Sequence, residues 1–365
     1  MRLLLSCKDA RVLQIDTAQQ RFSMNRARQR QIVINSTMQT VTRRGFIGSS
    51  AGAIGVAALG GAATMTVAAA AGQQETKEPP QELSGRAKGI RVGMLTAPFG
   101  DQSLVQVLDF ARKAGIPCLE VVADPGSKHI DPVTIDAAKA EGVKQMLAER
   151  KLEISGLACF LDACQPGGSE KFQAHARRMV DAAVLLGVPT LCMQTGMPLP
   201  NMSRINQIKQ VVPKVYAPII AYAKEKGIKI AIENWFETCL QGIDTFECLL
   251  DTIKDDNFGL NYDPSHLVHQ QCNYLLPVSM FGKRIFHTHA KDTLVDVEVR
   301  AHVGIYGHGW WRYVVPGSGS IHWGEYINHL RMNGYRGVLS IEHEDSALSR
   351  EQGFVLAQRH LAQFC

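Results

Sequence analysis

Residues 90–365 of this 365-residue chain predict one α/β domain, a single (β/α)8 TIM barrel with a long loop after the seventh strand. Three observations lead there. Eight short, apolar, β-rich runs alternate with eight amphipathic or alanine-rich stretches, a pattern and a span that match one such barrel of about 250 residues. Several of the helical stretches end on a glycine, as in Lys113-Ala114-Gly115, Leu186-Gly187, Lys226-Gly227 and Met332-Asn333-Gly334, and glycine accepts the left-handed conformation that stops a helix. The alternative, a doubly wound open sheet, normally carries a Gly-rich phosphate loop after its first strand, where this chain has Ala97-Pro98-Phe99-Gly100.

The first 71 residues differ from the rest. Within residues 1–44, nine Lys and Arg oppose only Asp9 and Asp16, which leaves +7 there and −2 for residues 72–365 of a chain whose total is +5. The basic balance therefore belongs to the leader, and the body has no electrostatic case for binding nucleic acid. Thr42-Arg43-Arg44-Gly45-Phe46-Ile47 resembles a twin-arginine export signal. An uncharged Gly/Ala-rich stretch to Ala71 follows, with small residues at Ala68–Ala71 suited to cleavage. The expectation is export to the periplasm by the twin-arginine machinery. An uncleaved anchor is the alternative, although the Gly and Ala content makes a poor span. Met38 is a candidate start that gives a leader of ordinary length. Residues 72–89, polar and containing Pro79-Pro80, read as a linker.

The predicted strands then run in order: Ile90–Thr96, Cys118–Asp124, Glu153–Phe160, Thr190–Thr195, Ile228–Trp235, Phe258–Asp263, Ile285–Lys291 and Gly337–His343. The helices between and after them are Gln102–Ala114, Thr134–Glu149, Ser169–Leu186, Ile205–Lys226, Thr245–Ile253, Tyr274–Phe281, Trp323–Met332 and Arg350–Ala362. The long excursion, Thr293–Ser320, holds Trp310-Trp311-Arg312-Tyr313 and Pro316-Gly317-Ser318-Gly319. Long loops in compact domains are usually functional, so it reads as a lid or substrate wall; exposed aromatics would equally suit a homo-oligomer contact. Nine cysteines form no C-x-x-C, and Cys118, Cys159 and Cys192 lie in apolar strand-like runs, so no disulfide framework is expected.

Four strand-like runs end in carboxylates or histidine: I-A-I-E-N-W (Ile230–Trp235), G-L-N-Y-D-P-S-H (Gly259–His266), I-F-H-T-H-A-K-D (Ile285–Asp292) and L-S-I-E-H-E-D (Leu339–Asp345). His287 and His289 are two apart, so a strand points them to one side. In a barrel the C-terminal strand ends converge, which brings together Glu233, Asp263, His289 and Glu342 from four successive strands. Three carboxylates and one imidazole suit a divalent cation, Mn²⁺, Mg²⁺ or Zn²⁺. Each residue alone has a bland explanation, such as a helix cap or surface ion pair; the set on consecutive strand ends does not. Lys291 and Asp292 are placed to orient the His289 strand end or to touch substrate hydroxyls. His287 is a packing or supporting residue, and Glu344 is a candidate for fixing a ligand imidazole.

These motifs resemble the xylose isomerase-like TIM-barrel superfamily, in particular its sugar phosphate isomerase/epimerase group, from about Ile90 to the C-terminus. H-T-H-A-K-D and I-E-H-E-D are the most specific anchors, and I-E-N alone is weak. The resemblance implies a divalent metal held by Glu233, Asp263, His289 and Glu342. In similar ketose 3-epimerases the two glutamates also serve as acid and base, which points to Glu233 and Glu342, and His266 is implied to contact substrate. An arginine beyond the metal histidine also binds substrate there; this chain has Val295 at that spacing, so Arg312 is the candidate replacement, beside Lys291.

The chemistry fits those residue types. Isomerising or epimerising a ketose removes a proton α to a carbonyl; a metal stabilises the enediolate, and glutamates on opposite faces remove and return the proton. No phosphate-binding signature is present, and the expected export points to a small free sugar, polyol or glycoside rather than a sugar phosphate. A metal-dependent lyase or hydrolase on an oxidised sugar begins with the same step, and an exported sugar-binding protein without catalysis is a third reading. Endonuclease IV-like repair enzymes need further histidines at earlier strand ends, where this chain has Cys159-Phe160 and Gln194-Thr195.

Overall fold

A computed structural model describes residues 89–365. The export signal, the Met38 start and the linker up to residue 88 lie outside the described residues. Eight parallel strands close a barrel in the order β1-β10-β7-β6-β5-β4-β3-β2. They are β1 (Arg91–Leu95), β2 (Cys118–Val122), β3 (Glu153–Ala158), β4 (Thr190–Gln194), β5 (Lys229–Glu233), β6 (Phe258–Tyr262), β7 (Ile285–Ala290) and β10 (Val338–Ile341). All eight expected strands are present, each trimmed at one end or both. Glu342 thus stands just past β10 and Asp263 just past β6, at the mouth.

Local chemistry sets the helices. In α1 (Leu104–Ala114) Ser103 and Gln106 form a reciprocal capping box, and Gly115 closes the C-terminus at φ 71°. In α2 (Ala137–Arg150) Asp136 caps the Lys139 amide. The long α3 (Ser169–Leu186) stops at Gly187, φ 72°. The stretch 205–226, expected as one helix, is two: α4 (Arg204–Gln210) and α5 (Val212–Glu225). Pro213 has no N–H to continue the ladder of α4, so the chain breaks at Val211 and restarts with proline in the first turn. Next come α6 (Ile243–Thr252), a single turn α7 (Ser265–Val268), and α8 (Leu276–Phe281).

The excursion after β7 is not an irregular loop. Asp292–Val295 (β8) pairs antiparallel with Trp311–Val314 (β9), and α9 (Val297–Val303) lies between them. One carboxylate fastens it. Asp292 accepts from the backbone amides of Gly317, Gly319 and Ile321 and from Trp323 Nε1 at 2.9–3.2 Å. Gly317 sits at φ 91°, and a Cβ on Gly319 would collide with the Asp292 carboxylate, so this wrap requires the Pro-Gly-Ser-Gly run. Trp310 is buried rather than displayed, at 4% exposure. Helices α10 (Trp323–Met332) and α11 (Arg350–Leu361) complete the outer ring.

The main core lies between barrel wall and helices, and a small inner cluster of Leu95, Ala158, Cys192 and Ala231 fills part of the barrel. Beside it the interior is polar: Glu120, Asn261, His287 and His289 are all at most 2% exposed. Such groups must be mutually bonded to be tolerated. They are, and the bonds lead to the mouth.

Candidate metal centre and active-site cleft

Glu233, Asp263, His289 and Glu342 converge at the C-terminal mouth, with one ligand atom of each lying within 4.8 Å of the others, and all four are buried. His289 Nδ1 is 3.2 Å from both Glu233 Oε1 and Glu342 Oε2, and 4.0 Å from Asp263 Oδ2. Neither Asp263 Oδ2 nor His289 Nδ1 has a hydrogen-bond partner. Two buried ligand atoms facing one point without a hydrogen bond, Asp263 Oδ2 having only ion-pair contacts at 3.4 Å to Lys291 Nζ and His266 Nε2, are costly unless a proton or a cation meets them. The donor set, three carboxylate oxygens and one imidazole, is the kind that holds Mn²⁺, Mg²⁺ or Zn²⁺.

The supporting bonds explain each ligand's aim. Asp263 accepts from the Ser265 amide through Oδ1 at 2.8 Å, just before α7, and thereby points Oδ2 at the centre. Asn234 and Asp263 exchange reciprocal 2.8 Å bonds, which gives the asparagine after Glu233 its purpose. Gln194 Nε2 donates to Glu233 Oε2 at 3.0 Å. His289 is held from behind by Glu120, 3.0 Å from Nε2, with Asn261 also at 3.0 Å. A carboxylate behind a ligating imidazole fixes its tautomer and raises its basicity.

Sequence reading gave that supporting role to Glu344. The structure corrects it: Glu344 lies at the rim, 3.3 Å from Lys291 Nζ, and Glu120 of β2 does the work. The one signal for Glu120 was a carboxylate in an otherwise apolar strand, Cys118–Val122. His287 is a supporting residue, bonded to Ser155 Oγ and Asn261 Oδ1. Asp292 orients neither His289 nor a hydroxyl in the cleft; its acceptors are taken up by the excursion.

Charge is finely balanced here. Burial opposes ionisation of His289, Lys291, Glu342 and Glu233, but mutual attraction outweighs it. The Glu120, Glu342 and Glu233 carboxylates hold His289 well above the ordinary imidazole range. Against the same burial, Lys291 and His289 hold Glu342 down to about 2, and His289 and His266 hold Glu233 well below its usual value. Lys291, 1% exposed, sits 2.7 Å from Glu342 Oε2 and 3.4 Å from Asp263 Oδ2.

A cleft of about 630 Å³ opens over this centre. His266 and Lys291 form its floor beside Glu233 and Glu342, and Trp235, Phe236, Trp311 and Tyr313 supply apolar walls. His266 Nδ1 meets the Tyr313 hydroxyl at 2.6 Å, and its Nε2 lies 3.7 Å from Glu233 Oε1. Trp311 stacks on His269, rings 4.0 Å apart and nearly parallel. Arg312 does not reach the cleft. It lies between Trp311 and Tyr313 on β9, so alternation turns it the other way, and it pairs with Asp345 at 2.7 Å.

Fold and site together define a single (β/α)8 barrel with an acidic, His-containing cation centre at its mouth. The chain belongs to the xylose isomerase-like TIM barrel family, whose model matches residues 108–364. Among curated proteins it is 26% identical over 310 residues to the uncharacterized protein YfiH of Bacillus subtilis, covering 75% of this chain and 99% of that one. It is 27% identical over 144 residues to an inosose dehydratase of Clostridium perfringens, a match spanning 38% of this chain and 48%, about half, of that protein. Its fold is similar to the crystal structure of the IOLI protein with a bound zinc atom (TM-score 0.60, 18% identity, 76% and 99% of the two chains). It is also similar to 3-keto-D-glucoside 4-epimerase YcjR of E. coli (TM-score 0.58, 14% identity, 75% and 99%).

Proposed function

We propose that this protein is a divalent-metal-dependent sugar isomerase or epimerase acting on a small carbohydrate by removal of a proton α to a carbonyl. One observation carries the reading: at the floor of a cleft two buried glutamates, Glu233 and Glu342, with carboxyls held below their usual range, meet Asp263 and His289 around one point. Glu233, Asp263, His289 and Glu342 would hold the cation. Once bound, it supplies a Lewis acid that offsets the negative charge developing on the substrate oxygens.

The chain's own residues supply the rest. Glu233 ends β5 and Glu342 follows β10, with β6 and β7 between them, so they approach a bound molecule from different sides. Held ionised, either can accept the α-proton. His266, hydrogen-bonded to the Tyr313 hydroxyl, sets its Nε2 3.7 Å from Glu233 Oε1, a short movement from passing it a proton to return. Lys291 offers its ammonium to a substrate oxygen beside Glu342. The aromatic walls suit the apolar face of a sugar ring and limit water. The twin-arginine motif at residues 42–47 supports an exported protein and so a free sugar rather than a sugar phosphate.

Similarity to inosose dehydratases supports a second outcome of the same first step: after α-proton removal, loss of a β-hydroxyl gives a lyase. The experiment is metal analysis of protein purified without chelator, beside Glu342→Gln/His289→Ala. Exchange of substrate hydrogen with deuterated water across free keto sugars and inososes is then followed, with product identification. One more metal equivalent in wild type than in the variant, with exchange and an epimeric product, is the expected result. A dehydrated product selects the lyase; a variant that holds as much metal as wild type, with no exchange in either, overturns both.

A further inference from the structure

A second group of metal-ligating side chains comes together beside the barrel wall. Asp124 follows β2, Cys159 follows β3 and His175 lies in the second turn of α3; one ligand atom of each falls within 4.8 Å of the others. Strand alternation separates this group from the mouth. Ala158 turns into the barrel with Leu95, Cys192 and Ala231, and Cys159, one residue on, turns outward into the core between wall and helices.

The imidazole carries the argument. His175 Nε2 lies 2.8 Å from the carbonyl oxygen of Ala123. A carbonyl can only accept, so Nε2 bears the proton and Nδ1 the lone pair. His175 is 4% exposed, and Nδ1 has no hydrogen-bond partner. A buried lone pair without a donor is a penalty, and it is the state in which ligating histidines are held: one ring N–H on a backbone carbonyl, the other nitrogen toward the metal. Asp124 gives Oδ1 to the Phe160 amide at 3.0 Å and is partly exposed, which leaves its other oxygen and a path from solvent.

A comparable group inside the barrel, Glu120, Cys192 and His287, lacks this feature. Both ring nitrogens of His287 are bonded, to Ser155 and Asn261. The contrast singles out the outer cluster. Thiolate, imidazole and carboxylate together select zinc over the hard cations that suit the mouth, with a fourth position left for water.

We propose that Asp124, Cys159 and His175 form a zinc site that ties α3 to the ends of β2 and β3, separate from the centre at the barrel mouth. The test uses full-length protein stripped with chelator and titrated with Co²⁺, then with Zn²⁺. Thiolate ligation gives an intense sulfur-to-cobalt charge-transfer band in the near ultraviolet, which a centre of carboxylates and imidazole cannot produce. The expected result is that band in wild type, lost on Zn²⁺ addition. It should vanish in both Cys159→Ser and His175→Gln, each with one metal equivalent fewer, and persist in Glu342→Gln and Cys192→Ser. No band in wild type, or a band that survives Cys159→Ser, overturns the proposal. If Cys159→Ser fails to fold, His175→Gln and Cys192→Ser still separate the two clusters, and a wild type without the band overturns the proposal outright. That outcome is independent of whether the mouth centre catalyses anything.

Discussion

Lys291 Nζ and Glu342 Oε2 lie 2.7 Å apart at the floor of the cleft, the lysine almost wholly excluded from solvent. A buried ammonium survives only with partners, and Lys291 has three carboxylates, Glu342, Asp263 and Glu344, with the Tyr313 ring 4.5 Å away. Removing one member of such a set leaves the others buried and unmatched.

Lys291→Met should therefore lower the rate of substrate hydrogen exchange by about 10²-fold or more while metal stays bound, since no ligand is removed. Exchange kinetics beside metal analysis check this. An unchanged rate would remove Lys291 from the chemistry.

Glu120→Gln keeps the shape behind His289 and deletes the charge. Metal affinity should fall about 10–100-fold, the usual cost of losing a carboxylate behind a ligating imidazole. Competition with a chromogenic chelator measures it. Affinity equal to wild type would mean that Asn261 alone fixes the ring.

Trp311 and Arg312 are neighbours with opposite fates. Trp311→Ala removes a cleft wall and should raise KM several-fold, whereas Arg312→Ala breaks only a partly exposed pair with Asp345, of the kind contributing about 0–1 kcal/mol, and should leave KM unchanged. The reverse ranking would restore Arg312 to the substrate site.

His269, stacked on Trp311, is buried, and desolvation, with smaller contributions from His266 and Lys291, lowers its pKa from 6.5 to about 4. The unfolded chain takes up this proton at a higher pH than the folded one, so its contribution is complete above pH 6.5 and is lost as pH falls toward 4. His269→Phe keeps a ring without the titration. Denaturant melts across that window should show wild type losing stability more steeply than the variant, by about 1–3 kcal/mol. Parallel curves would contradict the assignment.

Much of the fold was legible because its signals are local. Apolar runs, capping residues and glycine stops act within a few positions, so Ser103–Gln106 and Gly187 behave as the sequence implies. The break at Val211 was readable too, had Pro213 been given its full effect. The β8–β9 pair was not. Its strands are 15 residues apart with a helix between, and the Asp292 anchor acts across 25–31 positions.

The sequence by itself determined that Glu233, Asp263, His289 and Glu342 meet, because a barrel brings the ends of consecutive strands to one mouth. Tertiary structure alone decided what surrounds them. Glu120 reaches His289 across 169 positions, Lys291 meets Glu342 across 51, and Tyr313 meets His266 across 47. Strand order carries no record of those pairs. They follow from which side chains face inward when the barrel closes, and from desolvation, which leaves a buried charge no partner except the one that closure supplies.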